Sequence, residues 1–303
     1  MLATAATVLP RGTDWAYEFK WDGVRALVDI SDHGVHLFSR RGNEVTIAYP
    51  ELAGMFRDAE DAMLDGEIVA FVGGRPSFEA LQSRMHVRSR TEARRLAEHT
   101  PVTFVAFDVL RRYGVDLTAR PYSDRRATLE RWFAEEPGWT ISPSFDDGVA
   151  IEAAARQHGL EGIVAKRVGS AYRPGIRTRD WQKLRFVRAG DFVVVAWEAP
   201  VDSPDTLSSL VVAISTPTGL VFAGKAGSGL TGRAASQLQK RLRPRTSGVV
   251  AVPPSPGRVT RWVEPEVVVE IEFTVWTNEG RLRHPVFRRV REDKAVDEAM
   301  GDA

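Results

Sequence analysis

The 303-residue chain has no cysteine, which excludes disulfides and thiolate metal sites and fits a reducing compartment. No apolar run reaches the roughly 20 residues that a membrane-spanning helix needs. The opening Met1-Leu2-Ala3-Thr4 is too short and uncharged for a secretory signal. A cytoplasmic chain without membrane attachment is therefore expected. Excess charge of one sign is missing too: the net charge is +1, with 27 basic against 26 acidic residues in 1–190 and 14 against 14 in 191–303. That excludes a chain-wide basic signature for nucleic acid. Local arginine runs at 84–95 and 173–188 remain, and such stripes either follow a phosphate backbone or are solvated faces.

Lysine is the scarcest charged residue: six (20, 166, 183, 225, 240 and 294) stand against 35 arginines. Surface charge is left to arginine, so a retained lysine is a candidate for work a guanidinium cannot do, losing its proton and attacking. Lys20 draws attention first. In Lys20-Trp21-Asp22-Gly23-Val24-Arg25 an amine, a carboxylate and a guanidinium sit together where an apolar strand, Trp15–Phe19, runs into a turn. That combination would present a nucleophile to a phosphate.

A hydrophobic fraction of 43% with 27% charged residues suits a globular protein of two domains. In the first half, segments rich in Val, Ile and aromatics predict strands at 15–19, 24–30, 35–39, 63–72, 102–110 and 162–167. Helices are predicted after Ser77 (Phe78, Leu81, Met85), after Ser123-Asp124 (Leu129, Trp132, Phe133) and after Asp147 (Ile151, Ala155). Beyond Gly190 the pattern becomes strands at 192–197, 210–215, 220–223 and 267–276 around one helix at 231–242. The proline-rich 252–257 reads as a loop. Short strands around one helix suggest a small closed barrel of the oligonucleotide-binding kind. The fold class is α+β, with domains at 1–187 and 191–303.

Seven segments in order carry a resemblance. They are Lys20-Trp21-Asp22-Gly23-Val24-Arg25; Ser39-Arg40-Arg41-Gly42-Asn43; Leu64-Asp65-Gly66-Glu67; Phe104-Val105-Ala106-Phe107-Asp108; Glu161-Gly162-Ile163-Val164-Ala165-Lys166-Arg167; Trp181-Gln182-Lys183-Leu184-Arg185; and Arg283-His284-Pro285-Val286-Phe287 with Arg291-Glu292-Asp293-Lys294. The chain thereby resembles covalent nucleotidyltransferases, specifically ATP-dependent DNA ligases of the bacterial end-joining type. The resemblance implies antiparallel sheets with flanking helices in a nucleotidyltransferase domain, followed by an all-β oligonucleotide-binding barrel.

It also implies roles. Lys20 would take AMP from ATP, and because a free lysine titrates at about 10.4 it needs help to deprotonate, expected from Lys183 and a divalent ion, Mg or Mn. Glu161 would hold that ion, and Glu67 would accept a hydrogen bond from the ribose, both as ionised carboxylates. Phe107 would stack on adenine and Glu18 would read its amino group, with Phe19, Lys166 and Arg185 also at the nucleotide. Arg185 stands where many relatives have lysine, keeping the charge but not the point geometry. Arg25 and Arg40 would bind the ribose or the 5′-phosphate of a break, unless Arg25 or Arg40 pairs with Asp22 or Asp65. Arg41 and Lys225 would join them on DNA. Arg291 and Lys294 would meet pyrophosphate, which requires the domains to close and reopen about a hinge near Arg188-Ala189-Gly190. The implied partners are nicked or broken double-stranded DNA, a Ku-type end-binding protein and a repair polymerase, with a monomeric chain in the cytoplasm at the nucleoid. RNA ligases and GTP-using capping enzymes share the Lys-x-Asp-Gly signature and are the alternatives. A silent nucleic-acid-binding module is the non-enzymatic one.

Two other signals are set aside. Gly227-Ser228-Gly229-Leu230-Thr231-Gly232 matches a dinucleotide fingerprint, but no acid lies between it and Glu264, so it reads as a turn and helix start. The six histidines show no zinc-ligand spacing. NAD-dependent ligases carry zinc-binding cysteines, and their absence favours ATP.

Overall fold

The computed structural model describes residues 1–54, 61–132, 137–277 and 279–301, in two compact units, Met1–Phe186 and Val187–Ala303. Phe133 lies outside the described residues. Among the described residues no helix is long and apolar enough to cross a membrane.

The first unit holds two sheets. One has five strands, in the spatial order Leu2–Ala6, Arg177–Arg185, Gly162–Arg167, Trp15–Phe19 and Ser144–Phe145. The other has seven, built on Gly34–Ser39, Val24–Ser31, Ala62–Val72 and Val102–Arg112. Pairing is antiparallel except where Leu2–Ala6 meets Arg177–Arg185 and where Trp139–Ile141 meets Val102–Arg112. Strict alternation explains why these segments are strands: in Val24–Ser31 the residues Ala26, Val28 and Ile30 are buried in one core, leaving Arg25 and Leu27 for the opposite face. Ser77 and Asp147 cap helices as expected, Ser77 Oγ accepting from Ala80 N–H at 3.2 Å and Asp147 from Val149 and Ala150. The helix expected after Ser123-Asp124 starts earlier, at Tyr122, directly after Pro121. Proline ahead of a first turn needs no amide partner, so it marks the start better than the serine does.

The second unit is a six-stranded antiparallel sheet. Its long strand Arg188–Pro200 pairs with Ser209–Thr216, Arg258–Trp262 and Val268–Phe273, and Gly219–Ala226 and Val286–Val290 form the edges. A parallel bridge between Ser228 and Val286, with Phe287 N–H donating to Ser228 C=O at 2.9 Å, ties the edges and closes a barrel. Gly229 makes that closure possible: its φ is +84°, and a Cβ there would collide with the Phe287 carbonyl. Thr231 then caps the helix Gly232–Gln239. The glycine-rich run is thus a barrel seam. Arg188, Ala189 and Gly190, expected at a hinge, are ladder residues opposite Phe273, Glu272 and Ile271, and the division between units falls just before them.

Candidate active site

Strand register assembles the site in the first unit. Glu18, Val164 and Lys183 stand in one row across three strands, and Lys166 is two residues along from Val164. Side chains two apart share a face, so Glu18, Lys166 and Lys183 point one way. Trp15, Tyr17, Ile163, Ala165 and Leu184 point the other way, into a core with the helix Gly148–Gln157. Lys20 extends the first set, because its N–H still donates to Gly162 C=O at 2.9 Å beyond the strand's end. The chain then turns sharply at Gly23, where a Cβ would collide with the Ile68 carbonyl and the Glu67 side chain. Only glycine lets the Lys20–Gly23 loop lie that close to the second sheet.

The Lys20 ammonium is bonded to Glu161 Oε2, and Arg185 Nε lies 3.1 Å from the same carboxylate's Oε1. One carboxylate therefore bridges two cations. Lys183 makes no ion pair with the described residues. Burial first, then the charges of Arg185 and Lys20, draw its ammonium below the ordinary lysine value.

Glu18 is 2% exposed and is held by two donors, the Tyr122 hydroxyl at 2.6 Å and the Lys166 ammonium at 2.5 Å. Lys166 also donates to Phe107 C=O at 2.9 Å, with the rings of Phe107 and Trp181 each 4.6 Å from its nitrogen. Burial lowers its pKa, and Glu18 and Asp108 oppose the shift. Lys166, expected to touch the nucleotide, spends two of its three donors on Glu18 and Phe107 C=O. Phe107 is at the site, but Lys166 and the Arg25 guanidinium, 5.6 Å from the ring centre, already lie within cation–π range of it.

Arg25 forms a two-pronged pair with Asp65 (2.9 and 2.5 Å) and reaches Tyr172 Oη at 3.2 Å, while the Tyr172 hydroxyl donates to Asp65 at 2.8 Å. Of the two acids suggested by the sequence, the pairing partner is Asp65. Glu67 lies opposite Arg25 across the sheet. Burial pushes its carboxyl up to about 8 against the pull of Lys20 and Arg25, with Glu161 adding to the rise. That shift favours the protonated acid, which both donates and accepts, over the ionised carboxylate expected from the sequence.

The other expected residues make contacts of their own. Phe19 follows the alternation onto the face opposite Glu18 and Lys20, its ring 6.1 Å from Trp21 and 5.4 Å from Phe145. Arg40 and Arg41 are exposed on a turn after Gly34–Ser39 and pair with no described acid. Lys225, expected on DNA, spends its donors on Glu198 (2.7 Å), Pro253 C=O (2.6 Å) and Ser255 Oγ (2.8 Å). The reason is Glu198, almost fully buried and in need of a counter-charge. In the second unit Arg291 is gripped by Asp293 through two bonds and by Asp191 at 2.7 Å, and Lys294 pairs with Glu298 at 3.2 Å. Sequence reasoning missed Tyr122 and Tyr172, whose bonds to Glu18 and Asp65 span 104 and 107 positions.

Comparison with known proteins supplies the family. Residues 1–185 match the family model described as ATP dependent DNA ligase domain, and residues 203–294 match the ATP dependent DNA ligase C terminal region. The multifunctional non-homologous end joining DNA repair protein LigD of Mycobacterium tuberculosis is 37% identical over 99% of this chain and 39% of its own length. The corresponding LigD of Pseudomonas aeruginosa is 35% identical, over 99% and 36%. The chain thus spans about two fifths of these relatives. Among solved structures, a mycobacterial DNA ligase D complexed with ATP and MES aligns at TM-score 0.56 and 34% identity, covering 99% of this chain and 97% of that one. The ligase domain from M. tuberculosis LigD aligns at 0.54 and 36%, covering 98% and 96%.

Proposed function

We propose that this chain, which belongs to the ATP-dependent DNA ligase family, seals 5′-phosphate/3′-hydroxyl breaks in DNA through an AMP carried on Lys20. The observation that carries the reading is the cluster on one sheet face: a lysine amine held by Glu161, with Arg185 and Lys183 beside it as cations for phosphate. In the first step the neutral amine forms an N–P bond to the α-phosphorus of ATP while the bond to the β-phosphate breaks and pyrophosphate leaves. Glu161, already hydrogen-bonded to Lys20, is in place to take the proton. The AMP then passes to a 5′-phosphate, and a 3′-hydroxyl displaces it to close the strand.

Among the described residues no three His, Asp or Glu side chains come together as a metal site. Glu161 nevertheless fits a Mg or Mn ion that draws its remaining oxygens from the triphosphate and water. Such an ion would neutralise charge on the phosphates. Arg291 and Lys294 belong to the second unit, so their use on pyrophosphate calls for the two units to close and reopen during the cycle.

The test is intact-mass measurement after incubation with ATP. An increment of one AMP, mapped to Lys20, removed by pyrophosphate and absent from Lys20→Ala, supports the reading; an adduct elsewhere, or none, overturns it. Labelled GTP and nicked RNA, run alongside nicked DNA, decide between this activity and its RNA-ligase or capping alternatives. The end-joining names of the relatives support broken duplex ends as substrate, with a Ku-type protein and a repair polymerase as partners in the cytoplasm. Joining of linear duplex that fails to rise when a Ku-type protein is added would remove that part.

A further inference from the structure

The two donors on Glu18 are unevenly placed. Tyr122 Oη and Lys166 Nζ both end on Oε1, at 2.6 and 2.5 Å. Both donors thus make their shortest approach to Oε1 rather than Oε2, and the side chain stands on the face that also carries Lys20 and Lys183. Tyr122 is 1% exposed and opens the helix Tyr122–Trp132. One turn later Arg125 locks that helix by an ion pair to Asp108 at 2.8 and 2.9 Å and by bonds to the Arg120 and Ser170 carbonyls. The hydroxyl is thus delivered from a fixed support. Burial and the Glu18 charge raise its pKa well above the ordinary tyrosine value, so it keeps its proton and serves Glu18 as a donor.

We propose that Tyr122 is a positioning residue for base selection: by holding Oε1 of Glu18 it leaves Oε2 as an acceptor turned to the nucleotide base. This rests on the ligase reading above. A carboxylate oxygen fixed in that way suits an exocyclic amine, as on adenine, and opposes a carbonyl oxygen at the same place, as on guanine. Without the tyrosine hydroxyl, Glu18 keeps the bond from Lys166 and the charge of Arg126. The carboxyl is then freer to turn, or to take up a proton and donate to a carbonyl.

Tyr122→Phe removes the hydroxyl and keeps the ring, which lies 5.0 Å from the Lys166 nitrogen. Single-turnover labelling of the full chain with α-labelled ATP and, separately, GTP reads the effect. The expected result is a fall of about tenfold in the ATP-to-GTP ratio of covalent adduct, carried by the apparent KM for each nucleotide rather than by the maximal rate. A merely structural loss would lower both nucleotides alike, so an unchanged ratio overturns the proposal. If the Phe variant does not fold, Glu18→Gln, whose amide can offer a donor to the base, must show the same relaxation; an unchanged ratio there overturns it equally. A parent chain that forms no adduct with ATP sinks the ligase reading itself, a result separate from either variant's.

Discussion

Replacing Lys225 by methionine removes one ammonium and keeps most of its methylene stem. The side chain of Glu198, 2% exposed, would then keep only weak support from Ser209 Oγ at 3.3 Å and Ser255 Oγ at 3.1 Å. Stranding one member of a buried pair costs about 3–5 kcal/mol. Lys225 is 21% exposed, so water softens the loss, and about 2–3 kcal/mol is the expected cost. For a unit of this size that lowers Tm by roughly 8–15 °C. Lys225 also carries the Pro253 carbonyl, so the loop around Ser255 should become more sensitive to protease. Glu198→Gln in the same background should return part of the loss, because the stranded charge is gone. The contrary reasoning, that Lys225 is a DNA contact, predicts near-normal Tm and a salt slope for nicked-duplex binding that is smaller by about one. Calorimetry and a binding titration over salt, done on the same variant, separate the two. Unchanged Tm with a reduced slope would refute the structural account.

Three other outcomes are expected. Because the folded Glu67 carboxyl sits at about 8, above its usual 4.5, its contribution to stability is complete below pH 4.5 and fades as pH rises toward 8; Glu67→Gln should raise Tm more at pH 8 than at pH 5, and equal shifts would contradict the burial argument. Arg125→Met leaves Asp108 buried without its partner and should cost about 3–5 kcal/mol in denaturant unfolding of the first unit. Gly229→Ala combines a disfavoured φ with a collision at the Phe287 carbonyl, and should cost about 2 kcal/mol or more, seen as faster amide exchange at Phe287.

How far the sequence reveals this molecule depends on the range of the interaction. Trp15–Phe19 and Gly162–Arg167 are legible to the residue, because alternation and apolar content are local. Arg177–Arg185 is not: its charged residues are interleaved with polar ones, and its only two buried side chains, Trp181 and Leu184, lie on opposite faces, so it reads as a basic stripe. The motif residues Lys20, Glu161, Lys183 and Arg185 announce themselves by type and order, and the register brings them together. Side-chain direction is harder. Phe19 follows Glu18 and precedes Lys20, yet one step along a strand reverses its face. Lys225 looks available until the burial of Glu198 is known, and Tyr122 is silent until the fold sets it against a residue 104 positions away.

That reversal at each step has a bearing on how this protein could be altered. Within the strand Trp15–Phe19 additions or losses are tolerable only in pairs. One inserted residue would rotate the amine of Lys20 into the greasy layer under the helix Gly148–Gln157 and lift Tyr17 into the place of a charged group. Parity of chain length, rather than the identity of any neighbour, is therefore the first requirement for transplanting the Lys20 segment into another sheet.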